Sequence, residues 1–186
     1  MMIRSNRFNL YLVLLLAVAL LPACETDNGQ SKLFSTLRLH QEIRAEKADP
    51  TVHTETAEVY RANPMKFTVD QNPFLSEGSV KEAKVVEVNG GGFALEIQFD
   101  QQGSWLLEEF TSGNPGKHIA ILSQFVEPGE QKLNQGRWLA APQIHHHITD
   151  GRLTFTPDAT REEAEHIAAG LNHVSQRLAT GKDVKW

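Results

Sequence analysis

The stretch from Arg137 to Leu178, RWLAAPQIHHHITDGRLTFTPDATREEAEHIAAGLNHVSQRL, constrains this chain more than any other. Thr160-Arg161-Glu162-Glu163 has the form of a capping box, in which the N-cap hydroxyl and the glutamate three residues on satisfy each other's free N–H groups. Ala164, Ile167, Ala168, Leu171, Val174 and Leu178 then recur at helical spacing, which predicts a long helix with one apolar stripe. Gly181 is the stop. Such a stripe must be buried against another element. The residues just upstream supply candidates. Trp138–Ala141 and Ile144–Ile148 read as one strand interrupted at Pro142, which lacks a ladder donor and marks a bulge or an edge. Asp150-Gly151 is a turn signal, and Arg152–Thr156 returns as a short strand.

The preceding stretch continues the pattern. Phe93, Leu95, Ile97 and Phe99 alternate with polar or small residues, the signature of a half-buried strand. Leu106, Leu107 and Phe110 fall at helical spacing within Gly103–Ser112, with Ser104 as the expected N-cap. His118–Phe125 is nearly continuous apolar sequence, expected of a strand covered on both faces. Val126–Gly136 reads as a polar loop. Further upstream, Leu37, Leu39, Gln41 and Ile43 alternate as a strand. Val52–Val69 is strand-like, with Val59, Phe67 and Val69 inward, and the Asn63-Pro64 and Asn72-Pro73 pairs punctuate the region. Ser79–Glu82 matches a capping box and predicts one helical turn. Ala83–Val88 then reads as a strand, followed by a hairpin turn at Asn89–Gly92. These elements make one α+β unit.

The N-terminus reads differently. Arg4 and Arg7 precede the apolar run Leu10–Leu21, which is too short to span a bilayer comfortably and fits the hydrophobic region of an export signal. It ends in Leu21-Pro22-Ala23-Cys24, which resembles the bacterial lipobox. The only cysteine of the chain stands where a lipid would be attached, and Pro22 departs from the small residue commoner at its site. A secretory signal or an uncleaved anchor, with a bystander cysteine, is the other reading. The expected organisation is a lipoprotein signal at 1–23, a flexible tether at 24–34, a strand-rich extension at 35–92 and an α+β domain at 93–182. Glu25, where an aspartate would signal inner-membrane retention in enterobacteria, favours the outer membrane.

Charge narrows the partners. The formal net charge is −5, and removal of residues 1–23, which carry Arg4 and Arg7 and no acid, makes it −7. A nucleic-acid partner needs a basic footprint, so none is expected. Anionic lipid exerts no pull either. With a single cysteine, an internal disulfide is excluded.

The residues from Phe93 to Leu171 resemble the head subdomain of the first periplasmic domain of SecD, the membrane partner of the Sec translocase. The resemblance is carried by FALEIQFD (93–100) and the helix ending at Thr111. It continues through Gly116-Lys117 before Ile119-Ala120-Ile121, then Ala141-Pro142, Ile148 before Asp150-Gly151, Phe155-Thr156, and Glu162-Glu163-Ala164 leading to Leu171. Asn72-Pro73-Phe74-Leu75 through Ala83 resembles the lead-in to that subdomain. The resemblance implies a ferredoxin-like α+β sandwich, with an antiparallel or mixed sheet and two main helices packed on one face. It also implies an ability to touch extended polypeptide. Two features depart from the pattern. Val126–Gly136 is longer than the usual tight turn. No spanning helix follows the signal, so the proton pathway of SecD and SecF is not expected here.

Candidate chemistry is sparse. On a strand, His145 and His147 would share one face, and two histidines at that spacing can bind zinc if a third ligand arrives from Asp150, His166 or His173. The bland reading is a histidine-rich outer face. Glu108-Glu109 and Glu162-Glu163 are neighbours along helices and diverge by about 100°, so they read as solvated or capping residues rather than an acid–base pair. No nucleophile elbow is present. Gly90-Gly91-Gly92 precedes no helix and so is no phosphate cradle. Trp105, Trp138 and Trp186 read as core or rim packing. No catalytic residue and no cofactor is expected. The leading expectation is a non-enzymatic, lipid-anchored, periplasm-facing binding module that contacts a partner or unfolded polypeptide. It would do so through a polar sheet face bearing Glu96, Gln98, His145 and His147, or through strand addition at an edge near Pro142. The alternatives are a metal-binding protein or metal-dependent enzyme using His145–His147, and a structural envelope lipoprotein.

Overall fold

The computed structural model describes residues 33–44 and 51–181. The expected export signal and lipid-attachment site at Cys24, and Trp186, lie outside the described residues. The elements run β1 (Arg38–Gln41), β2 (Thr54–Val59), β3 (Met65–Asp70), β4 (Leu75–Ser76), a one-turn 3-10 helix (Glu77–Ser79), β5 (Val80–Val88) and β6 (Gly92–Phe99). Then come α1 (Gln101–Gly113), β7 (Ile119–Ser123), β8 (Arg137–Ala140), β9 (Arg152–Phe155) and α2 (Arg161–Ala179). The class is α+β, as expected. The named strands form three antiparallel sheets rather than one: β4-β1-β7-β8, the hairpin β2-β3, and β5-β6-β9.

The expected hairpin forms where glycine permits it. β5 and β6 pair from Val80↔Phe99 to Val88↔Gly92, and Gly90 and Gly91 in the turn have φ of 102° and 88°. β9 then joins β6, from Gln98↔Arg152 to Leu95↔Phe155. Alternation places Leu95, Ile97, Leu153 and Phe155 on the buried face of this sheet and Glu96, Gln98, Arg152 and Thr154 on the other. The main core draws on both larger sheets and both helices. Leu37, Leu39, Leu95, Ile97, Leu107, Ile121, Leu139, Ile167 and Leu171 are all fully buried in it. The hairpin β2–β3 closes a second, smaller cluster of Ala57, Val59, Val69, Ala120 and Ala141. Its tip is pinned by Asp158, whose Oδ2 accepts from the Arg61 main chain at 2.9 Å and from Arg61 Nε at 3.1 Å.

Helix α2 matches the sequence at its start. Thr160 Oγ1 accepts from the Glu163 N–H at 3.2 Å, and Glu163 Oε2 accepts from the Thr160 N–H at 2.7 Å. The buried stripe runs through Ala164, Ile167, Ala168, Leu171 and Val174, but stops short of Leu178, which is 45% exposed. By that point the helix has run past the sheet it packs on.

Four local expectations are corrected. The N-cap of α1 is Asp100, not Ser104. Its carboxylate accepts from the Gly103 N–H at 2.7 Å, and a negative charge there suits the helix dipole. Ser104 lies inside the helix and donates to the Asp100 carbonyl at 2.7 Å. The capping-box pattern at Ser79–Glu82 opens no helical turn, because long-range pairing of β5 along β6 outweighs a local signature. Trp105 is not packed; it is 62% exposed on α1. Ile144–Ile148 is not a strand. After Pro142 the main chain makes two last sheet-like bonds, from the Ile144 N–H to Lys117 O at 2.8 Å and from the Gly116 N–H to Ile144 O at 2.9 Å. It then turns onto α1, where the Ile148 N–H donates to Thr111 Oγ1 at 3.1 Å.

Candidate functional site

That departure of the chain from the sheet creates a cleft. Residues 142–148 lie along one side and β9 along the other, and about 430 Å³ of space remains between them. Ile119, Ile144, Ile148 and Leu153 give it an apolar lining. Gln143, His145, His146, Arg152 and Thr154 give it a polar rim. A neighbouring cleft of about 330 Å³ shares His146, Ile148, Arg152 and Thr154 and extends to His147 and Asp150.

The rim is held by a polar network on the outer face of the β5-β6-β9 sheet. Glu96 lies 2.9 Å from Lys84 Nζ and 3.7 Å from Arg152. Arg152 Nε donates to Gln98 Oε1 at 3.2 Å. Gln98 Nε2 in turn donates to the carbonyls of Asp150 and Gly151, at 3.2 and 3.1 Å. Gly151 makes this possible. Its φ is 65°, and a Cβ there would fall onto the Ser104 side chain of α1, so the turn seats directly against the helix. Arg152 is therefore oriented rather than free, and its charge is matched by Glu96.

The expected uncovered polar face is only partly assembled. Glu96 and Gln98 share it with Arg152 and Thr154, as alternation requires. His145 and His147 do not, because the strand that would have placed them there is absent. His145 borders the larger cleft and His147 the smaller. His147 Nε2 lies 3.5 Å from Glu108 Oε1 across to α1. Among the described residues no group of three or more His, Cys, Asp or Glu side chains is gathered to hold a metal ion. His166 and His173, the imagined third ligands, instead contact the carbonyls of Val126 and Leu33 through Nδ1, at 3.2 and 3.1 Å. The expected edge near Pro142 is occupied too, since the Pro142 carbonyl accepts from the Ile119 N–H at 3.0 Å.

Sequence reasoning missed Ile119 and Thr154 as cleft residues. Nothing local marks them, because they come from different sheets and meet only in the folded chain. Of the adjacent carboxylates, Glu163 caps α2 and lies 3.0 Å from Arg137. Burial pushes its carboxyl up, but the Thr160 N–H and Arg137 outweigh burial and hold it below the ordinary range.

Known proteins share this fold. The profile of the family described as SecDF, P1 head subdomain, matches residues 53–175, more than half of the chain, and so takes in the β2–β3 hairpin as well. The protein translocase subunit SecD of Acidaminococcus fermentans is 28% identical over 100 residues, which are 54% of this chain and 21% of that protein. The chain thus spans about a fifth of that relative's length, 21%. A crystal structure of SecDF in a super-membrane-facing form superposes with a TM-score of 0.51 at 20% identity, covering 75% of this chain and 19% of that one. A structure of SecDF, a membrane component that enhances protein export, gives a TM-score of 0.51 at 18% identity and covers 93% of this chain and 71% of that one. With an α+β fold of this topology and a profile match from the first hairpin to the last helix, the chain belongs to the SecDF P1 head subdomain family.

Proposed function

We propose that this chain is a non-enzymatic polypeptide-binding module, tethered to the cell envelope by lipid on Cys24 and facing the periplasm. The observation that carries the binding reading is the cleft between 142–148 and β9, with its apolar lining, polar rim and exposed sheet edge. Extended chains suit such a site, because their side chains alternate between apolar and polar surroundings. Membership of a family named for a translocase component supports the same direction. The anchor reading rests on the lone cysteine after an apolar run preceded by arginines. Among the described residues no helix is long and apolar enough to cross a membrane.

The binding reading is tested by titrating a reduced, alkylated and fluorescently labelled secretory protein against the full chain in detergent. Saturable binding is expected. Ile148→Asp, which charges the cleft lining, should weaken it at least tenfold with the circular dichroism spectrum retained. No saturable binding by the folded wild-type chain would leave a structural envelope role. For the anchor, Cys24→Ser should abolish incorporation of labelled lipid and leave the precursor uncut. Unchanged mass and membrane association in that variant would refute lipidation.

A further inference from the structure

We infer that the polypeptide held in this cleft is bound as an added β-strand on the free edge of β9, recognised through its own backbone. This rests on the polypeptide-binding reading above and specifies its chemistry. The register of β9 on β6 decides which main-chain groups are available. The Phe99 N–H donates to the Gly151 carbonyl at 2.9 Å, and the pairing continues through Ile97↔Leu153 and Leu95↔Phe155. In an antiparallel ladder, residues at these alternate positions direct their N–H and C=O to the partner strand, and those between direct theirs away. Arg152 and Thr154 are the residues between. The Arg152 N–H is taken by Asp150 Oδ1 at 3.0 Å. The Arg152 carbonyl and both main-chain groups of Thr154 have no partner among the described residues, and both residues are exposed at the cleft.

The other edge of the same sheet is closed over its first residues. The Asn172 side chain of α2 grips β5 like a strand, accepting from the Ala83 N–H and donating to the Ala83 carbonyl, both at 2.8 Å. Ser175 Oγ donates to the Lys81 carbonyl at 3.1 Å. Exposed edges are templates for unwanted pairing, and folds generally blunt them. Here the start of one edge is closed by side chains, and β9 carries its free groups beside the apolar cleft. A strand laid on β9 would send alternate side chains inward, beyond Leu153 toward Ile119 and Ile144. The intervening residues would point outward beside Arg152 and Thr154. In an antiparallel addition, the arrangement of the other pairs in this sheet, their main-chain N–H and C=O groups would meet Thr154 and the Arg152 carbonyl. The occupant is therefore an extended segment with an N–H at every second residue and apolar side chains between, tolerant of sequence otherwise. An acyl chain lacks the donors.

The test uses the full chain in detergent and a short labelled peptide of alternating valine and threonine with lysine at both ends. Two methylated versions are compared by fluorescence anisotropy, one with methyl groups on the threonine main-chain nitrogens and one with them on the valine nitrogens. Valine points inward, so methylating threonine nitrogens should raise Kd about tenfold or more, the worth of one or two net hydrogen bonds, while methylating valine nitrogens changes it by less than about twofold. Thr154→Pro removes the free N–H without touching the β6 ladder and should weaken the unmethylated peptide by a similar factor with an unchanged denaturation midpoint. Equal tolerance of both methylated peptides, or loss confined to the valine-methylated one, with binding intact, overturns antiparallel strand addition and leaves the cleft reading standing. Failure of both the unmethylated peptide and the unfolded protein overturns both. A stable dimer abolished by Thr154→Pro, with no peptide bound, would assign the edge to a second copy and also overturn the inference.

Discussion

At the scale of single residues, two positions set intrinsic preference against surroundings. Gly170 lies mid-helix in α2, where replacement by alanine ordinarily stabilises by about 1 kcal/mol. Here a Cβ would meet the Phe34 carbonyl carbon and the Ser35 nitrogen, both at 2.8 Å, and backbone cannot swing aside. Overpacking of this kind costs about 1–3 kcal/mol, so Gly170→Ala should lower stability in urea denaturation despite its better propensity. Glu42 is the second case. Burial pushes its carboxyl up, but bonds from the His118 ring and main-chain N–H, at 2.9 and 2.8 Å, outweigh burial. The His118 and Arg44 charges add to them, and the carboxyl sits below its ordinary value of 4.5. A carboxyl depressed in the folded state contributes stability above its unfolded pKa, and that contribution is lost as pH falls through the folded value. Glu42→Gln should therefore cost about 1–2 kcal/mol at neutral pH, and the gap from wild type should close below pH 4.5. A gap independent of pH would mean the carboxylate charge is not what matters.

At the scale of elements, α2 does two jobs with two faces. Its apolar stripe closes the main core, and Asn172 beside that stripe closes the edge of β5. Leu171 is fully buried, so Leu171→Ala should cost about 2–5 kcal/mol, depending on how far the site collapses. Leu178→Ala, at a position 45% exposed, should stay within about 0.5 kcal/mol. Paired thermal denaturation of the two variants checks where the stripe ends. Asn172→Ala strands both main-chain groups of Ala83, and two net hydrogen bonds are worth about 2 kcal/mol. The same variant should raise light scattering on mild heating, because more of the β5 edge is then open. Unchanged stability and no added association would show that water replaces the clamp without penalty.

At the scale of the molecule, the hairpin β2–β3 stands outside the main core. It contributes to the small cluster, not the main core, and its tip is held by the Arg61–Asp158 contact. Arg61 is 58% exposed, so the ion pair itself is worth little. Asp158→Ala should lower global stability by only about 1 kcal/mol, yet speed amide exchange across β2 and β3 while leaving α2 protected. Exchange that rises equally in α2 would mean that the hairpin and the core open as one unit.

What is local and periodic was legible along the chain. The capping box of α2, its stripe as far as Val174, the Asn89–Gly92 hairpin and the alternation of β6 depend on neighbours a few residues away, and all are formed as expected. The resemblance carried by those residues led to the right family. Tertiary structure decided wherever a local signal met a stronger distant one. Ser79–Glu82 gave way to nine residues of β5 pairing with β6. Asp100 took the cap of α1 from Ser104, and the histidine run leaves the sheet and ends on the helix before it, where Thr111 accepts from the Ile148 N–H. The cleft was illegible for the same reason. Its lining joins Ile119 from one sheet to Leu153 from another, and its open edge exists only because the register of β9 on β6 turns the main-chain groups of Thr154 outward. No spacing along the chain encodes which edge of a sheet a distant asparagine will seal.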